Sequence, residues 1–322
     1  MLPDDDRTVR LRKGWASRWR FGLIATLAIA SVAVVISGRD RLVSAGDDID
    51  AIADETVVEV PVERALIARV HELPEATVYV VLVPKDRAVS VAVADGLKTV
   101  RDFVKDLRVS GTQPLAVVNG GFFDPNNGKT TSHLIVNTQR VGNPAENEGL
   151  TGNPKMQPYL PQIFNRSEFR VYDCPLVAML TPYAITAHDD PAPEGCNVVH
   201  AIGAGPQLLP ADTSETEAFT RYENGELVRD AIGSVYPNAR SAIGIHQDGS
   251  AMLIMVAQRP DAPGFTLAEV AEFAASEGAT QLLNLDGGSS ASLFYGTDVV
   301  LGRLNSVGEA IERPVKSVIV VE

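Results

Sequence analysis

Two stretches of the sequence each place a polar residue and a pair of glycines directly after a short apolar run. Residues 119–121 read Asn-Gly-Gly after the run at 115–118, and residues 286–288 read Asp-Gly-Gly after 282–285. A glycine pair lets the backbone turn at positive φ and lets a ligand approach main-chain N–H groups, while a strand holds the preceding side chain rigidly. The two patterns together predict a polar pocket where two strand ends meet.

Two arginines and two aspartates supply charges with which such a pocket could bind an anionic ligand and act on it. A guanidinium group offers a planar fork of donors to phosphate oxygens, and Arg240 is the first candidate for that contact, followed by Arg313. Glycoside hydrolysis commonly uses two carboxyl groups. Asp286 is the principal candidate, and Asp124 is either its partner or the cap of a turn with residues 125–127. Because phosphate is a good leaving group, one carboxyl group could suffice.

The order of five motifs resembles the phosphodiester glycosidase family. The motifs are VNGGFF at 118–123, GAGPQL at 203–208, RSAIG at 240–244, NLDGGSS at 284–290 and RPV at 313–315. The resemblance extends over most of residues 77–321 and implies an enzyme that hydrolyses a sugar–phosphate linkage in an envelope glycan or exopolysaccharide. Ser241 stands where the family commonly has threonine, and residues 130–153 depart from the family pattern, so the substrate stays open.

The candidate site combines these motifs. The catalytic candidates are Asp286, Asp124 and Arg240, and the substrate-binding candidates are Asn119, Gly120, Gly121, Asn284, Gly287, Gly288, Ser289, Ser290 and Arg313. The asparagines either bind sugar hydroxyls or orient Asp286, and the N–H groups of 287–290 form an anion-binding nest. The site requires no cofactor, although its oxygen atoms could hold Ca²⁺ or Mg²⁺, and the five histidines lack the spacing of a zinc site.

Three alternatives to a glycosidase remain open from the residues alone. Ser289 with His133 or His246 would form a nucleophile and its base, but the Gly-x-Ser-x-Gly motif is absent and neither histidine has an evident orienting acid. A non-catalytic envelope-glycan-binding module would use Asn119, Arg240 and Asp286 only for recognition. A structural protein would hold the two glycine pairs far apart.

The elements that position these residues predict an α/β or α+β fold, with a mixed twisted sheet and flanking helices in a single main domain. Strands are predicted near 77–83, 89–93, 115–118, 134–136, 169–172, 241–245, 252–256, 282–285 and 318–321. The first two strands are expected to form one hairpin, and 241–245 with 252–256 another. Helices are predicted over 99–107 and from Thr266, with a capping box to Glu269, to about Gly278.

Charge and hydropathy divide the chain into four segments. Residues 1–20 are a basic cytoplasmic segment, 21–38 a transmembrane anchor or signal segment, 39–74 an acidic stalk, and 75–322 the phosphodiester glycosidase-like domain. The domain is therefore expected outside the cytoplasm, either held at the cell membrane or secreted after cleavage. A formal net charge of −13 excludes a nucleic-acid partner and leaves a carbohydrate or sugar phosphate as the expected one.

Cys174 and Cys196 are the only cysteines of the chain. An even pair in an exported protein is consistent with a disulfide, whereas two thiols are too few for a zinc site. A disulfide and two separate buried thiols both remain open.

Overall fold

The computed structural model describes residues 66–175 and 181–322, which form an α+β domain built mainly of strands, as the sequence predicts. The strands are β1 (Ile67–Glu72), β2 (Thr77–Val83), β3 (Val89–Lys98), β4 (Ala116–Asn119), β5 (Leu134–Val136), β6 (Gln139–Gly142), β7 (Ser167–Asp173), β8 (Tyr183–Ala187), β9 (Asn197–Gly203), β10 (Gln207–Leu209), β11 (Thr220–Glu223), β12 (Glu226–Asp230), β13 (Arg240–His246), β14 (Ala251–Ala257), β15 (Ala279–Asn284), β16 (Ser292–Tyr295), β17 (Asp298–Leu301) and β18 (Val315–Val321). The helices are α1 (Val100–Val109), α2 (Glu148–Thr151), α3 (Leu160–Phe164) and α4 (Leu267–Ser276).

The strands form three larger sheets instead of the one mixed sheet that was predicted. Sheet A has the order β1-β2-β14-β13-β15-β10, sheet B the order β17-β16-β4-β18-β3, and sheet C the order β6-β5-β9-β7-β8. A two-stranded ribbon of β11 and β12 completes the set. All pairings between these strands are antiparallel.

The first predicted hairpin is wrong. Strand β2 pairs with β1 and β14 in sheet A, whereas β3 pairs with β18 in sheet B. Both faces of β2 are buried, because Val81 packs into the core shared with sheet B and Val80 packs under helix α4. A strand with two buried faces needs a layer on each side, so the chain crosses to the facing sheet instead of folding back on itself. The second hairpin, β13–β14, is confirmed.

The two longer helices cover the outer faces of the two facing sheets. Helix α4 buries Leu267 and Val270 against sheet A, and α1 buries Phe103 and Val104 against sheet B. Both helices begin with capping boxes that satisfy free N–H groups of the first turn. The box of Thr266 with Glu269 was predicted, whereas that of Thr99 with Asp102 was not. Both predicted helices are therefore confirmed.

Two regions hold more regular structure than predicted. Strand β1 lies within residues 39–74, the segment assigned to a stalk, and forms the edge of sheet A. Residues 125–164 contain β5 and β6 as well as the short helices α2 and α3, although only the strand at 134–136 was predicted there. Both β1 and β6 alternate apolar and charged residues only weakly, so their pairing depends on long-range partners that local patterns do not reveal.

A disulfide joins Cys174 to Cys196 and settles the state of the two cysteines. It connects the end of β7 to the segment before β9.

In the part of the chain from residue 66 onward that the structure describes, no helix is both long and apolar enough to cross a membrane. The predicted anchor or signal segment at 21–38 lies outside the described residues.

Candidate active site

The two glycine motifs meet at one end of the facing sheets. Strand β4 of sheet B ends at Asn119, and β15 of sheet A ends at Asn284, two residues before Asp286. The N–H of Asp286 donates to the carbonyl of Gly120 at 3.0 Å, and Asn119 Nδ2 donates to the carbonyl of Asp286 at 2.6 Å. The predicted convergence of the two strand ends is confirmed.

Asn119 lies beneath the site and holds its parts together. Its side chain is fully buried, and Oδ1 accepts hydrogen bonds from Ser241 Oγ at 2.7 Å and from the N–H of Ser292 at 3.1 Å. Together with the bond to Asp286, these contacts connect four segments from both sheets. Of the two roles predicted for Asn119, orienting Asp286 fits the structure, whereas binding a sugar hydroxyl does not.

The first glycine pair serves close packing of the backbone. A Cβ added to Gly120 would lie 2.4 Å from Ser317 Oγ, and one added to Gly121 would lie 2.1 Å from the carbonyl oxygen of Gly203. Both glycines are buried. The predicted contact of Gly120 and Gly121 with substrate is therefore replaced by a packing role, because only glycine fits where these segments cross.

We expect the substitution Gly121→Ala to lower the free energy of unfolding by about 3 kcal/mol, since the carbonyl of Gly203 cannot yield without moving strand β9. Gly96→Ala is the matched control, because a Cβ on Gly96 has no heavy atom within 4 Å. The control should change the free energy of unfolding by less than about 1 kcal/mol. Urea denaturation of both variants measures the difference, and equal effects would contradict the packing role.

Asp286, the principal carboxyl candidate, lies at the turn where the two motifs meet. Its side chain is half-buried, and burial raises its pKa to about 6. The Ser290 hydroxyl, the positive charge of Arg313 and the N–H of Gly287 act in the opposite direction and favour the carboxylate. A carboxyl group whose pKa is close to neutral can change its protonation state at physiological pH, which is a property of many catalytic acids and bases.

The turn after Asp286 leaves less backbone free for an anion than predicted. Gly288 has φ of +59°, which favours glycine, and its N–H donates to the carbonyl of Ala239 at 2.8 Å. The N–H of Ser290 donates to the carbonyl of Gly287 at 3.1 Å. Within the turn, only the N–H of Ser289 bonds to none of the described residues, because the N–H of Gly287 contacts the Asp286 carboxyl group.

Arg313 is the arginine beside Asp286. Its Nη1 donates to Ser289 Oγ at 3.1 Å, and its guanidinium lies 5.3 Å from the centroid of the Phe123 ring. Within residues 66–175 and 181–322, Arg313 is in no ion pair closer than 4 Å, and Asp286 is the carboxyl group whose pKa its charge lowers. Arg313, the second candidate for the phosphate contact, thus lies beside Asp286, where Arg240 was expected.

Arg303 is a second cation at the same turn, and the sequence analysis missed it. Its Nη1 donates to Asn238 Oδ1 at 3.1 Å and would lie 3.3 Å from a Cβ on Gly288. Among the described residues it too is in no ion pair. Two guanidinium groups therefore flank residues 288 and 289. No motif marks Arg303, because its place depends on how the segment after β17 returns to the turn.

Arg240 has a structural role instead of the predicted contact with phosphate. Its side chain is only 3% exposed, and its guanidinium donates to four carbonyl groups. The acceptors are the carbonyls of Phe265 at 3.0 Å, Ile232 at 3.2 Å, Gly233 at 2.6 Å and Tyr236 at 2.7 Å. Because these bonds occupy the N–H donors of the guanidinium, Arg240 is not free to bind a phosphate. It holds the loop before β13 close to the turn at Gly287.

The substitution Arg240→Lys should lower the free energy of unfolding by on the order of 3 kcal/mol, because lysine cannot satisfy four buried carbonyls. The KM of the folded variant should stay within about twofold of wild type, since Arg240 does not reach the substrate. Arg69→Lys, on an exposed arginine, is the control for stability. A KM raised tenfold or more with normal stability would restore Arg240 as a phosphate ligand.

Two further candidates are engaged by the protein itself. Asp124 accepts a hydrogen bond from the N–H of Asn126 at 2.8 Å and so caps the turn, which was the alternative reading of this residue. Asn284 is 2% exposed and donates to the carbonyl of Gly205 at 2.8 Å, so it supports the site from behind. Asp124 as a catalytic partner and Asn284 as a sugar ligand are not supported by these contacts.

The serine–histidine alternative does not fit the geometry. Ser289 Oγ is bonded to Arg313, whereas His133 contacts the carbonyl of Phe164 and stacks on His188. Burial and then the neighbouring His188 lower the pKa of His133 to about 4, which makes it a poor base at neutral pH. His246 Nδ1 is 2.8 Å from Asp248 in the turn between β13 and β14.

No group of three or more His, Cys, Asp or Glu side chains in the described ranges is arranged to hold a metal ion. Of the oxygen atoms that could hold Ca²⁺ or Mg²⁺, those of Asp124 and Asn119 accept hydrogen bonds from the protein. Asp124 caps its turn, and Asn119 Oδ1 accepts two hydrogen bonds.

Comparisons with known proteins extend these observations. Residues 112–322, more than half of the chain, match the family model described as phosphodiester glycosidase. The catalytic domain of zebrafish N-acetylglucosamine-1-phosphodiester alpha-N-acetylglucosaminidase, auto-inhibited by its pro-peptide, is similar with a TM-score of 0.55 and 17% identity, over 81% of this chain and 85% of that one. A putative exported protein from Burkholderia pseudomallei has a TM-score of 0.51 and 17% identity, over 76% and 74% of the two chains. These identities are low, so the two structures show likeness of fold alone. No curated protein matches the sequence significantly.

Proposed function

This chain belongs to the phosphodiester glycosidase family and is a glycosidase-type hydrolase of sugar phosphodiesters, and we propose that Asp286 is its principal catalytic carboxyl group, acting on an envelope glycan or exopolysaccharide. The observation that carries the proposal is the turn at 286–289. It places the half-buried carboxyl group of Asp286 beside the guanidinium of Arg313, which is in no other ion pair among the described residues, and it places Arg303 at the following glycine. That combination suits an anionic substrate whose sugar carbon must be attacked.

In the proposed reaction, Arg313 binds the phosphate group of the diester, and the carboxylate of Asp286 attacks the anomeric carbon to form a glycosyl ester. The C1–O bond to the phosphate breaks as the ester forms, and its electrons leave with the phosphate oxygen as a phosphomonoester. Water then attacks the anomeric carbon of the ester, supplies the hydroxyl group of the released sugar, loses its other proton to solvent and frees the carboxylate. The phosphate leaves as a stabilised anion, so the positive charge of Arg313 replaces a strong general acid.

The proposed location is outside the cytoplasm, at the cell membrane or secreted. The disulfide between Cys174 and Cys196 supports it, because such bonds persist mainly in oxidising compartments. The basic segment followed by an uncharged apolar run at 21–36 supports it as well. The membrane is thus the proposed partner of the N-terminal segment, and the sugar phosphodiester is the partner of the domain.

The test of the function is hydrolysis of a defined glycosyl phosphodiester in H₂¹⁸O by the purified protein. We expect release of a free sugar and a phosphomonoester, with ¹⁸O in the sugar and none in the phosphate. Label in the phosphate would mean that the P–O bond breaks and would contradict the role of Asp286 at the sugar carbon. Binding without any turnover would favour the alternative, a non-catalytic glycan-binding module.

The pH dependence of kcat/KM should report the ionisation of Asp286. The carboxylate is the active form in this scheme, so activity should fall as the pH drops below the pKa of about 6. At pH 5, kcat/KM should be about tenfold below its plateau. A profile in which activity rises below pH 6 would show that the protonated form is required and that Asp286 acts as an acid.

A further inference from the structure

Helix α1 presents three cationic side chains along one side. Arg101, Lys105 and Arg108 are exposed and are separated by four and three residues, which places them on one side of a helix with 3.6 residues per turn. Asp102 and Asp106 of the same helix lie roughly 60° and 100° round the axis from Lys105. Their side chains are engaged elsewhere, because Asp102 bonds to Thr99 and Asp106 pairs with Lys98.

These cations form one wall of a groove of about 390 Å³ between α1 and the β16–β17 hairpin. Val104 and Phe294 contribute its apolar floor, and Thr297 and Val299 contribute the opposite wall. No acidic side chain lines the groove. We call these lining residues, with Arg101, Lys105 and Arg108, the α1 groove.

The positive charge of the α1 groove is largely free. In the part of the chain that the structure describes, neither Lys105 nor Arg108 is in an ion pair, and Arg108 lies over the Phe294 ring at 5.2 Å from its centroid. Arg101 pairs with Glu312 at 3.3 Å. The protein as a whole carries a net charge of −13, so a groove lined by three cations and no acid differs in sign from the chain as a whole.

The α1 groove is connected to the turn of the active site by short stretches of chain. Strand β16, which carries Phe294, begins two residues after Ser290. At about 3.3 Å per residue, Phe294 lies on the order of 10 Å from Ser290 along the chain. On the other side, Glu312, the partner of Arg101, directly precedes Arg313. A ligand that extends a few repeating units from the active site is thus long enough to reach the groove.

We propose that the α1 groove is a secondary binding site for anionic repeating units of an extended phosphate-bearing glycan. That the bound polymer is the glycan substrate rests on the proposed function, whereas the binding of an anionic polymer does not. Lys105 and Arg108 bind the phosphate groups, and the apolar floor contacts the carbon skeleton between them. The groove increases the affinity for a polymer and leaves the chemistry at Asp286 unchanged.

The test uses linear inorganic polyphosphate as the probe and the full-length protein. Acylation of individual lysines by an amine-reactive reagent is followed by mass spectrometry with and without polyphosphate, so the basic residues at 1–20 do not obscure the result. Lys155, which is also exposed, is the control. We expect polyphosphate to slow acylation of Lys105 at least fivefold and to leave Lys155 unchanged. Orthophosphate should not protect Lys105, because it makes only one contact.

Arg108→Gln is the variant that tests the site, and Arg221→Gln is its charge-matched control on an exposed arginine of β11. The first variant should raise the polyphosphate concentration for half-protection about tenfold, and the control should not. Salt at about 0.5 M should abolish protection, since the Debye length is then only about 4 Å. Absent protection of Lys105, or equal protection of Lys155, overturns the proposal. Polyphosphate has no glycosidic bond, so this outcome is independent of whether the protein hydrolyses glycosyl phosphodiesters.

Discussion

The substitution Asp286→Asn is expected to lower kcat by about 1,000-fold and to leave the KM for a glycosyl phosphodiester within about threefold of wild type. The amide keeps the shape of the carboxylate but can neither attack nor accept a proton. Binding is preserved because the phosphate is held by Arg313 and not by the carboxyl group. Steady-state kinetics with separately measured affinity gives both values.

The stability of this variant provides an internal control for folding. Burial raises the pKa of Asp286, so the ionised group disfavours the folded state: the stability associated with its protonated form is present below the unfolded pKa and is lost as the pH rises through about 6. The neutral asparagine removes that cost, and the melting temperature at pH 7 should be equal to or higher than that of wild type.

Asp298→Asn, on an exposed carboxylate of β17, should leave both kcat and stability unchanged. If Asp286→Asn retained more than a tenth of the wild-type kcat, another group would have to carry the chemistry. A proportional loss of affinity with no measurable turnover in wild type would instead indicate a binding module.

The substitution Arg313→Met is expected to lower kcat/KM for phosphodiesters by about 100-fold and to affect a neutral glycoside of the same sugar by less than about threefold. Methionine keeps an apolar contact with Phe123 but removes the donor fork and the charge beside Asp286. The ratio of the two losses measures how specifically Arg313 acts on phosphate.

A second readout separates electrostatics from simple positioning. The charge of Arg313 lowers the pKa of Asp286, so its removal should move the acid limb of the pH profile above pH 6. Arg313→Lys keeps the charge, so the acid limb of its pH profile should lie near pH 6, as in wild type. It should recover only part of the activity, because lysine lacks the bidentate fork. Equal losses on both substrates with an unchanged profile would show that Arg313 only supports the fold.

The strand ends and the helix caps were predictable from local sequence. Each apolar run before a glycine pair is a buried strand, and the Thr-x-x-Glu pattern at Thr266 begins α4 as expected. The contact between Asn119 and Asp286 was expected because both motifs place a polar residue and two glycines at the end of an apolar strand. Such patterns are readable because they depend on residues only a few positions apart.

The assignment of the arginines could not be predicted in the same way. Arg240 and Arg313 both belong to motifs of the family. They differ in the groups that their guanidinium N–H donors bind in the folded protein. The carbonyls that occupy Arg240 come from the loop at 232–236 and from Phe265, brought together only by sheet A and helix α4. The separation of β2 from β3 into different sheets has the same origin, because it depends on which distant strands provide partners.

The most direct test of this account is a crystal structure of the Asp286→Asn variant with an intact glycosyl phosphodiester bound. We predict the phosphate within hydrogen-bonding distance of Arg313, and the anomeric carbon about 3 to 3.5 Å from the side chain at position 286. A phosphate bound away from Arg313, or a sugar ring that does not approach position 286, would contradict the assignment of this turn as the catalytic centre.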